Sequence, residues 1–161
     1  MIVVSNTSPL INLAWIGCLN LLNDLFQRIL IPQAVWDETV GVGQGRPGAP
    51  ETAAAAWIER CQVKNTNLVL ALRQDLDAGE AEAIALAVER SAALLIMDER
   101  LGRETVERFG IRPIGTIGVL VAAKRSGLIP HIRPHLDTLR SEAGFYIADT
   151  LYRHALTDNA E

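Results

Sequence analysis

The sequence predicts an α/β fold built around a parallel sheet of four or five strands, and three observations predict it. Short, almost wholly apolar runs recur at residues 1–5 and 92–97, the pattern of strands buried on both faces of a parallel sheet. Stretches with helical punctuation separate such runs, so strand and helix alternate. No internal repeat or low-complexity tract interrupts the alternation. With 161 residues, 49% hydrophobic and 5% aromatic, the chain has the length of one domain and the composition of a globular one. A disordered, collagen-like or disulfide-stapled chain is excluded.

The elements follow in order. Residues 1–5 form a central strand, and Ser8-Pro9 supplies an N-cap and a first-turn proline for the helix after it. Gly17 breaks that helix, residues 19–26 form a second, and 28–31 form a strand closed by Pro32, which opens a helix over 33–40. Residues 41–50, rich in glycine and proline, are a loop, and the four alanines of 51–60 predict a helix. Residues 61–64 and 68–72 are candidate extended segments. Asp77-Ala-Gly-Glu80 is a capping box that opens a helix to Arg90. A strand at 92–97, a helix at 99–109 stopped by Gly110, a strand at 111–114 and a helix at 116–126 closed by Gly127 complete the core, at about residues 1–127. Residues 128–161 read as a helical extension, with helices near 131–142 and 147–157.

No apolar run is long enough to span a bilayer and no signal-peptide pattern opens the chain, so a cytosolic protein is expected. Cys18 and Cys61 stand far apart and away from any histidine in sequence, as buried small thiols do. The net charge is −4, yet residues 101–140 carry seven cations against three anions, a local +4. One part of the molecule is therefore suited to a polyanion while another concentrates carboxylates.

In an open parallel sheet, ligands collect beyond the carboxyl ends of the strands. Asn6 and Asp98 end strands, Glu38 follows the second strand, and Glu82 or Glu80 opens the helix before the Asp98 strand. Carboxylates and an amide brought together repel unless a hard cation sits among them, and all-oxygen donors favour magnesium or manganese. Such a site hydrolyses phosphodiesters.

Four blocks then carry a resemblance: Val3-Val-Ser-Asn-Thr-Ser-Pro-Leu-Ile11, Leu30-Ile-Pro-Gln-Ala-Val-Trp-Asp-Glu-Thr-Val40, Gly79-Glu-Ala-Glu-Ala-Ile-Ala-Leu-Ala87 and Leu95-Ile-Met-Asp-Glu-Arg-Leu-Gly-Arg103. In order and spacing they resemble the PIN-like nuclease superfamily, in the bacterial and archaeal branch near the VapC-type toxins. The resemblance implies a three-layer α/β/α sandwich and a magnesium- or manganese-dependent endoribonuclease, the toxin half of a toxin–antitoxin pair. It implies an acidic pocket of Asn6, Glu38, Glu82 and Asp98, with Glu80 as the alternative to Glu82, and Thr7 and Ser8 as polar neighbours of the first ligand. Asn6 departs from the pattern, which has aspartate there; its amide oxygen can coordinate magnesium but brings no charge. Arg100 and Arg103 are near enough to Asp98 in sequence to steer phosphate oxygens. RNA, a small antitoxin and a second copy of the chain are the implied partners.

Each residue has a plainer reading. Asn6 can bond the strand-to-helix turn, Glu38 can be an exposed helix residue, Glu80 can be the capping partner of Asp77, and Asp98 can cap the helix after it. Glu80 and Glu82 lie about 200° apart on a helix, so one pocket cannot take both. Gly43-Gln-Gly-Arg-Pro-Gly48 fits a dinucleotide pattern literally but follows a helix, leaving Arg46 as a residue that can touch RNA. His131 and His135 have zinc-pair spacing without the glutamate, and Trp15, Trp36 and Trp57 are too scattered to be stacking platforms. A catalytically degenerate module that binds RNA or protein is the rival function, and Asn6 is the feature that favours it. The phenyl and alkyl groups of Phe145, Ile147, Leu151, Ala155 and Leu156 form a stripe suited to a subunit or antitoxin contact or to the protein's own core.

Overall fold

Val3–Ser5 (β1) is buried throughout and lies in the middle of a parallel sheet, where its apolar run belongs. The computed structural model describes residues 1–42 and 44–161. Among these, Ile29–Pro32 (β2), Ile58–Cys61 (β3), Leu94–Ile96 (β4) and Arg112–Ile114 (β5) complete the sheet in the order β3-β2-β1-β4-β5. All neighbours are parallel, with Val4 opposite both Leu30 and Leu95. The chain winds outward from β1 to β3, then restarts on the other side of β1 with β4. The carboxyl ends of β1 and β4 therefore flank the switch point at which such sheets bind ligands.

The helices are Thr7–Trp15 (α1), Asn20–Phe26 (α2), Gln33–Trp36 (α3), Ala49–Ala54 (α4), Thr66–Leu72 (α5), Ala78–Glu89 (α6), Arg100–Arg108 (α7), Thr116–Arg125 (α8), Arg133–Ser141 (α9) and Asp149–Thr157 (α10). With α1, α2 and α8 in one layer and α5, α6 and α7 in the other, the fold is an α/β/α sandwich. Helix α6 is buried almost continuously from Gly79 to Ala87 between the sheet and its neighbours. Its alanines allow that close approach on every side. Among the described residues, no single helix is long and apolar enough to cross a membrane.

Three local expectations are corrected. The four-alanine helix ends at Ala54, Ala55 turns extended (φ −79°, ψ 102°), and residues 58–61 pair beside β2. Alanine propensity is a weak preference, and pairing at the sheet edge overrides it. Residues 68–72 are helical because the Asn65 side chain caps α5, accepting from Leu68 N at 3.1 Å. Ser8 is not an N-cap: α1 begins at Thr7, and the Ser8 hydroxyl is engaged elsewhere. The 33–40 helix exists but changes character, since α3 passes into a π-helical turn at Asp37–Gly41.

The last helices fold back on the sandwich. Ile132, Leu136, Leu139, Ile147, Ala155 and Leu156 are buried in the one core, whereas Phe145 is half-buried and Leu151 is 50% exposed. Most of the stripe at 145–156 is thus hidden within its own chain. Cys18 and Cys61 are free and buried, and burial pushes both thiols up. The first glycine of the 43–48 pattern lies outside the described residues.

Candidate active site

Asn6 leaves β1 toward α1 and is held by its backbone, its N–H donating to Ile96 O at 2.9 Å. It occupies the N-cap position of α1, yet its side chain makes no capping bond. The plainer reading of Asn6 as a turn-bonding amide is therefore not what the structure shows. Its Oδ1 is buried without a hydrogen-bond partner in a residue only 3% exposed. An orphaned buried acceptor costs about 1–3 kcal/mol, so the position suits a donor or cation arriving from outside the chain.

Glu38 is carried by the π-helical turn, whose extra residue per turn is a device often found at functional sites. The Thr7 hydroxyl donates to Glu38 Oε2 at 2.5 Å and Gly79 N donates to Oε1 at 3.1 Å. Glu38 is not a free surface residue: its carboxylate rests on the first turn of α6, where the helix dipole favours it. The missing side chain of Gly79 makes room, because a Cβ there would overlap both Glu38 carboxylate oxygens. Gly79→Ala should therefore keep the melting temperature within a few degrees of wild type while displacing Glu38. A nuclease assay on the folded variant should show at least about a tenfold loss, and unchanged cleavage would remove Glu38 from the site.

Asp98 follows β4 and does not cap the helix after it, whose N-cap is Glu99. It reaches α8 instead: Thr116 N donates to Asp98 Oδ1 at 2.7 Å, Thr116 Oγ1 to Oδ2 at 2.7 Å, and Ser8 Oγ to Oδ2 at 3.1 Å. One carboxylate thus joins β4, α1 and the start of α8 across the switch point. Thr7 and Ser8, expected as polar neighbours of Asn6, bond the carboxylates instead, Thr7 to Glu38 and Ser8 to Asp98, because the first turn of α1 carries their hydroxyls past Asn6.

The two glutamates of α6 divide as the helix geometry requires. Glu80 completes the capping box: its N–H donates to Asp77 Oδ1 at 2.8 Å, and its Oε2 accepts from Asp77 N at 3.1 Å. Burial raises the Glu80 carboxyl above its usual range despite the bond from the Asp77 amide, and the charges of Asp77 and Glu38 push the same way. Glu82 turns to α3, accepting from Ala34 N at 3.1 Å. Glu99 is also raised, first by burial and then by Asp98, Glu80 and Asp77. The mutually repelling set therefore runs through Glu38, Glu80, Glu99 and Asp98, while the bonded oxygen of Glu82 caps a helix. Among the described residues no three histidine, cysteine or acidic side chains converge closely enough to hold a metal ion as they stand. The donor set is all oxygen and includes the orphaned Asn6 Oδ1, so its chemistry fits a hard divalent cation.

The two arginines also separate. The Arg100 side chain is 93% exposed and paired with Glu104 at 2.9 Å, and it does not line the groove at Asp98. Arg103 lines a groove of about 460 Å³ together with Asp98, and both approach the position of a Cβ on Gly115. His131 and His135 do not share a site: His135 Nδ1 is 3.4 Å from Cys18 Sγ, and His131 lies 3.8 Å from Glu161. Trp36 stacks under Arg60 at 4.7 Å, a packing role.

Thr116, Glu99 and Gly79 escaped the sequence reading. Thr116 was open to the same argument that selected Asn6, since it follows the end of β5, and Glu99 adjoins Asp98. The role of Gly79 depends on a carboxylate 41 residues away and leaves no local signal.

No curated protein matches the chain. A family model for the PIN domain, a nuclease-type fold, matches residues 2–161 and so takes in α9 and α10 as well as the sheet. With that match over nearly all of its length, on a parallel α/β/α sandwich with carboxylates at the switch point, the chain belongs to the PIN-domain family.

Proposed function

We propose that the protein is a magnesium- or manganese-dependent endoribonuclease, and that it is the toxin of a toxin–antitoxin pair related to the VapC type. The buried, unpartnered Oδ1 of Asn6, whose chain neighbours Thr7 and Ser8 hold Glu38 and Asp98, carries the reading, because an orphaned acceptor near carboxylates is satisfied by a cation. Asn6, Glu38, Asp98 and Glu82 would hold the ion, with Glu80 as the alternative to Glu82. When bound, magnesium or manganese supplies the water activation and charge neutralisation that phosphodiester hydrolysis needs. The chain's own contribution is positional. Thr7 and Gly79 fix one Glu38 rotamer, Ser8 and Thr116 fix Asp98, and Arg103 draws the phosphate into the groove. The toxin assignment carries a small antitoxin and a homodimer as partners, for which exposed Leu151 and half-buried Phe145 remain available.

A second reading, a degenerate module that binds RNA or a protein without cutting, is favoured by a specific observation. Glu38, Glu82 and Asp98 each already accept from a main-chain amide, of Gly79, Ala34 and Thr116 respectively. Cleavage of RNA with manganese, by wild type and by Asn6→Asp, separates the two. If charge limits the site, Asn6→Asp should tighten manganese at least about tenfold and raise the rate. RNA bound but cut by neither protein would establish the degenerate module, and equal manganese affinities would show that Asn6 is not a ligand.

A further inference from the structure

The groove that begins at Asp98 runs between α8 and the segment 145–159, and its lining differs in chemistry along its length. Ile117, Val121 and Leu151 line it with apolar groups, whereas Arg103 and Arg125 contribute cations and His154 an imidazole. Asp158 is the acid on that wall apart from Asp98, and it offsets one of those charges. Arg125 is held in place: its Nε donates to Asn159 Oδ1 at 3.1 Å, and the same amide donates from Nδ2 to Ala155 O at 2.7 Å. Asn159 is 9% exposed, so this bracket is fixed within the fold.

Tyr146 stands at the mouth. It lines this groove and also the adjoining one formed by Ser8, Asn12, Asp98 and Glu99, so it sits where the two meet beside Asp98. At 86% exposure Tyr146 is the most open large hydrophobic residue among the described residues. A tyrosine gains nothing from packing in such a position, and its face is free for a planar partner. An apolar lining, two arginines and an open aromatic at the mouth are the complement of a nucleotide with an unpaired base.

We propose that Tyr146 is a base-stacking residue, and Arg125 a phosphate-holding residue, of a subsite that seats the nucleotide next to the bond at Asp98. The proposal rests on the RNA reading above and assigns the C-terminal segment a part in substrate positioning. The reacting groups stay on β1, β4 and the π-helical turn. A base stacked on Tyr146 fixes the strand's direction across Asp98, and Arg125 engages the phosphate that follows. A base already paired in a duplex has no free face to offer, so the subsite selects unpaired RNA.

The test is binding of a short fluorescein-labelled oligouridine, followed by anisotropy with metal chelated so that nothing is cut. Tyr146→Ala should weaken binding about tenfold and Tyr146→Phe should leave it within about twofold, since the ring carries the contact. Arg125→Gln should weaken binding and reduce the salt slope by about one charge, whereas Arg28→Gln, just before β2 and paired with Glu59 on the edge strand β3, should do neither. The same uridine strand annealed to its complement should bind more weakly than the single strand and be indifferent to Tyr146→Ala. Wild-type affinity in Tyr146→Ala, or an equal loss in Tyr146→Phe, overturns the subsite while leaving RNA binding intact. Wild type that binds no RNA at low salt overturns the RNA reading along with it.

Discussion

Asp98→Asn is expected to abolish metal-dependent RNA cleavage, by at least about a hundredfold, while the protein stays folded. The two halves of that expectation come from the same three bonds. Asparagine keeps an oxygen for Thr116 N, and the hydroxyls of Thr116 and Ser8 can rotate to accept from the new amide in place of donating to a carboxylate. The stability cost is therefore that of weakened charge-assisted bonds, about 1 kcal/mol. What disappears is the charge at the switch point. Asp98→Ala is the harsher comparison: it strips the cap from α8 and leaves the Thr116 amide without its acceptor, adding about 1–2 kcal/mol. An assay of both variants against wild type, with melting curves in manganese, distinguishes lost chemistry from lost fold. Cleavage undiminished in Asp98→Asn would sink the assignment of Asp98.

The same site explains a pH dependence. Glu80 and Glu99 have folded pKa values raised above 4.5, so their protons are held more tightly folded than unfolded. Their charged forms penalise the fold, and that penalty sets in as pH rises past the unfolded value and is complete above the folded one. A divalent cation at neutral pH relieves it. Magnesium or manganese should accordingly raise the melting temperature at pH 7 and have less effect near pH 4, where the raised Glu80 and Glu99 carboxyls hold their protons.

How far the sequence discloses this site depends on the range over which each feature is decided. The strand ends are local: an apolar run that stops at Asn6 or Asp98 marks the carboxyl edge of a buried sheet whatever lies elsewhere. The capping box of Asp77 and Glu80 is also local, and both of its bonds form. Asp98 shows the limit. A carboxylate before a helix is a natural cap for that helix, but this one caps the helix 18 residues further on, because β5 delivers Thr116 beside it. Glu82 shows the same limit from the other direction, its oxygen claimed by Ala34, 48 residues earlier. The C-terminal stripe could not be resolved by periodicity either, since its pattern is the same whether Ile147, Ala155 and Leu156 cover their own sandwich or another's.

Besides their buried apolar face, those C-terminal helices are tied to the sandwich at one side chain, and removing its charge should cost stability. The Glu161 side chain is 6% exposed and accepts from Ile132 N at 2.7 Å and Arg133 N at 3.2 Å, while Lys124 Nζ donates to it at 2.8 Å. Lys124 also donates to Asn159 O, so the end of α8, the start of α9 and the residues after α10 meet at one carboxylate. Burial alone would raise the Glu161 carboxyl; the two amides and the lysine outweigh it and hold the group down at about 2. Because the folded value lies below the unfolded one, this contribution is complete above about pH 4.5 and is lost as pH falls from there toward 2. Glu161→Gln keeps one acceptor but leaves half-buried Lys124 without its counter-charge, at a cost of about 2 kcal/mol at pH 7. For a chain of this size that is about 4–8 °C in melting temperature. The variant should also show a flatter stability profile than wild type below pH 4.5. The functional consequence follows from the groove, one wall of which is α10: a loosened α10 should weaken RNA binding even though Glu161 touches no part of the Asp98 site. Matching melting curves at pH 7 would show that the clamp holds nothing, and RNA affinity unchanged in a variant that melts early would separate the wall from the clamp.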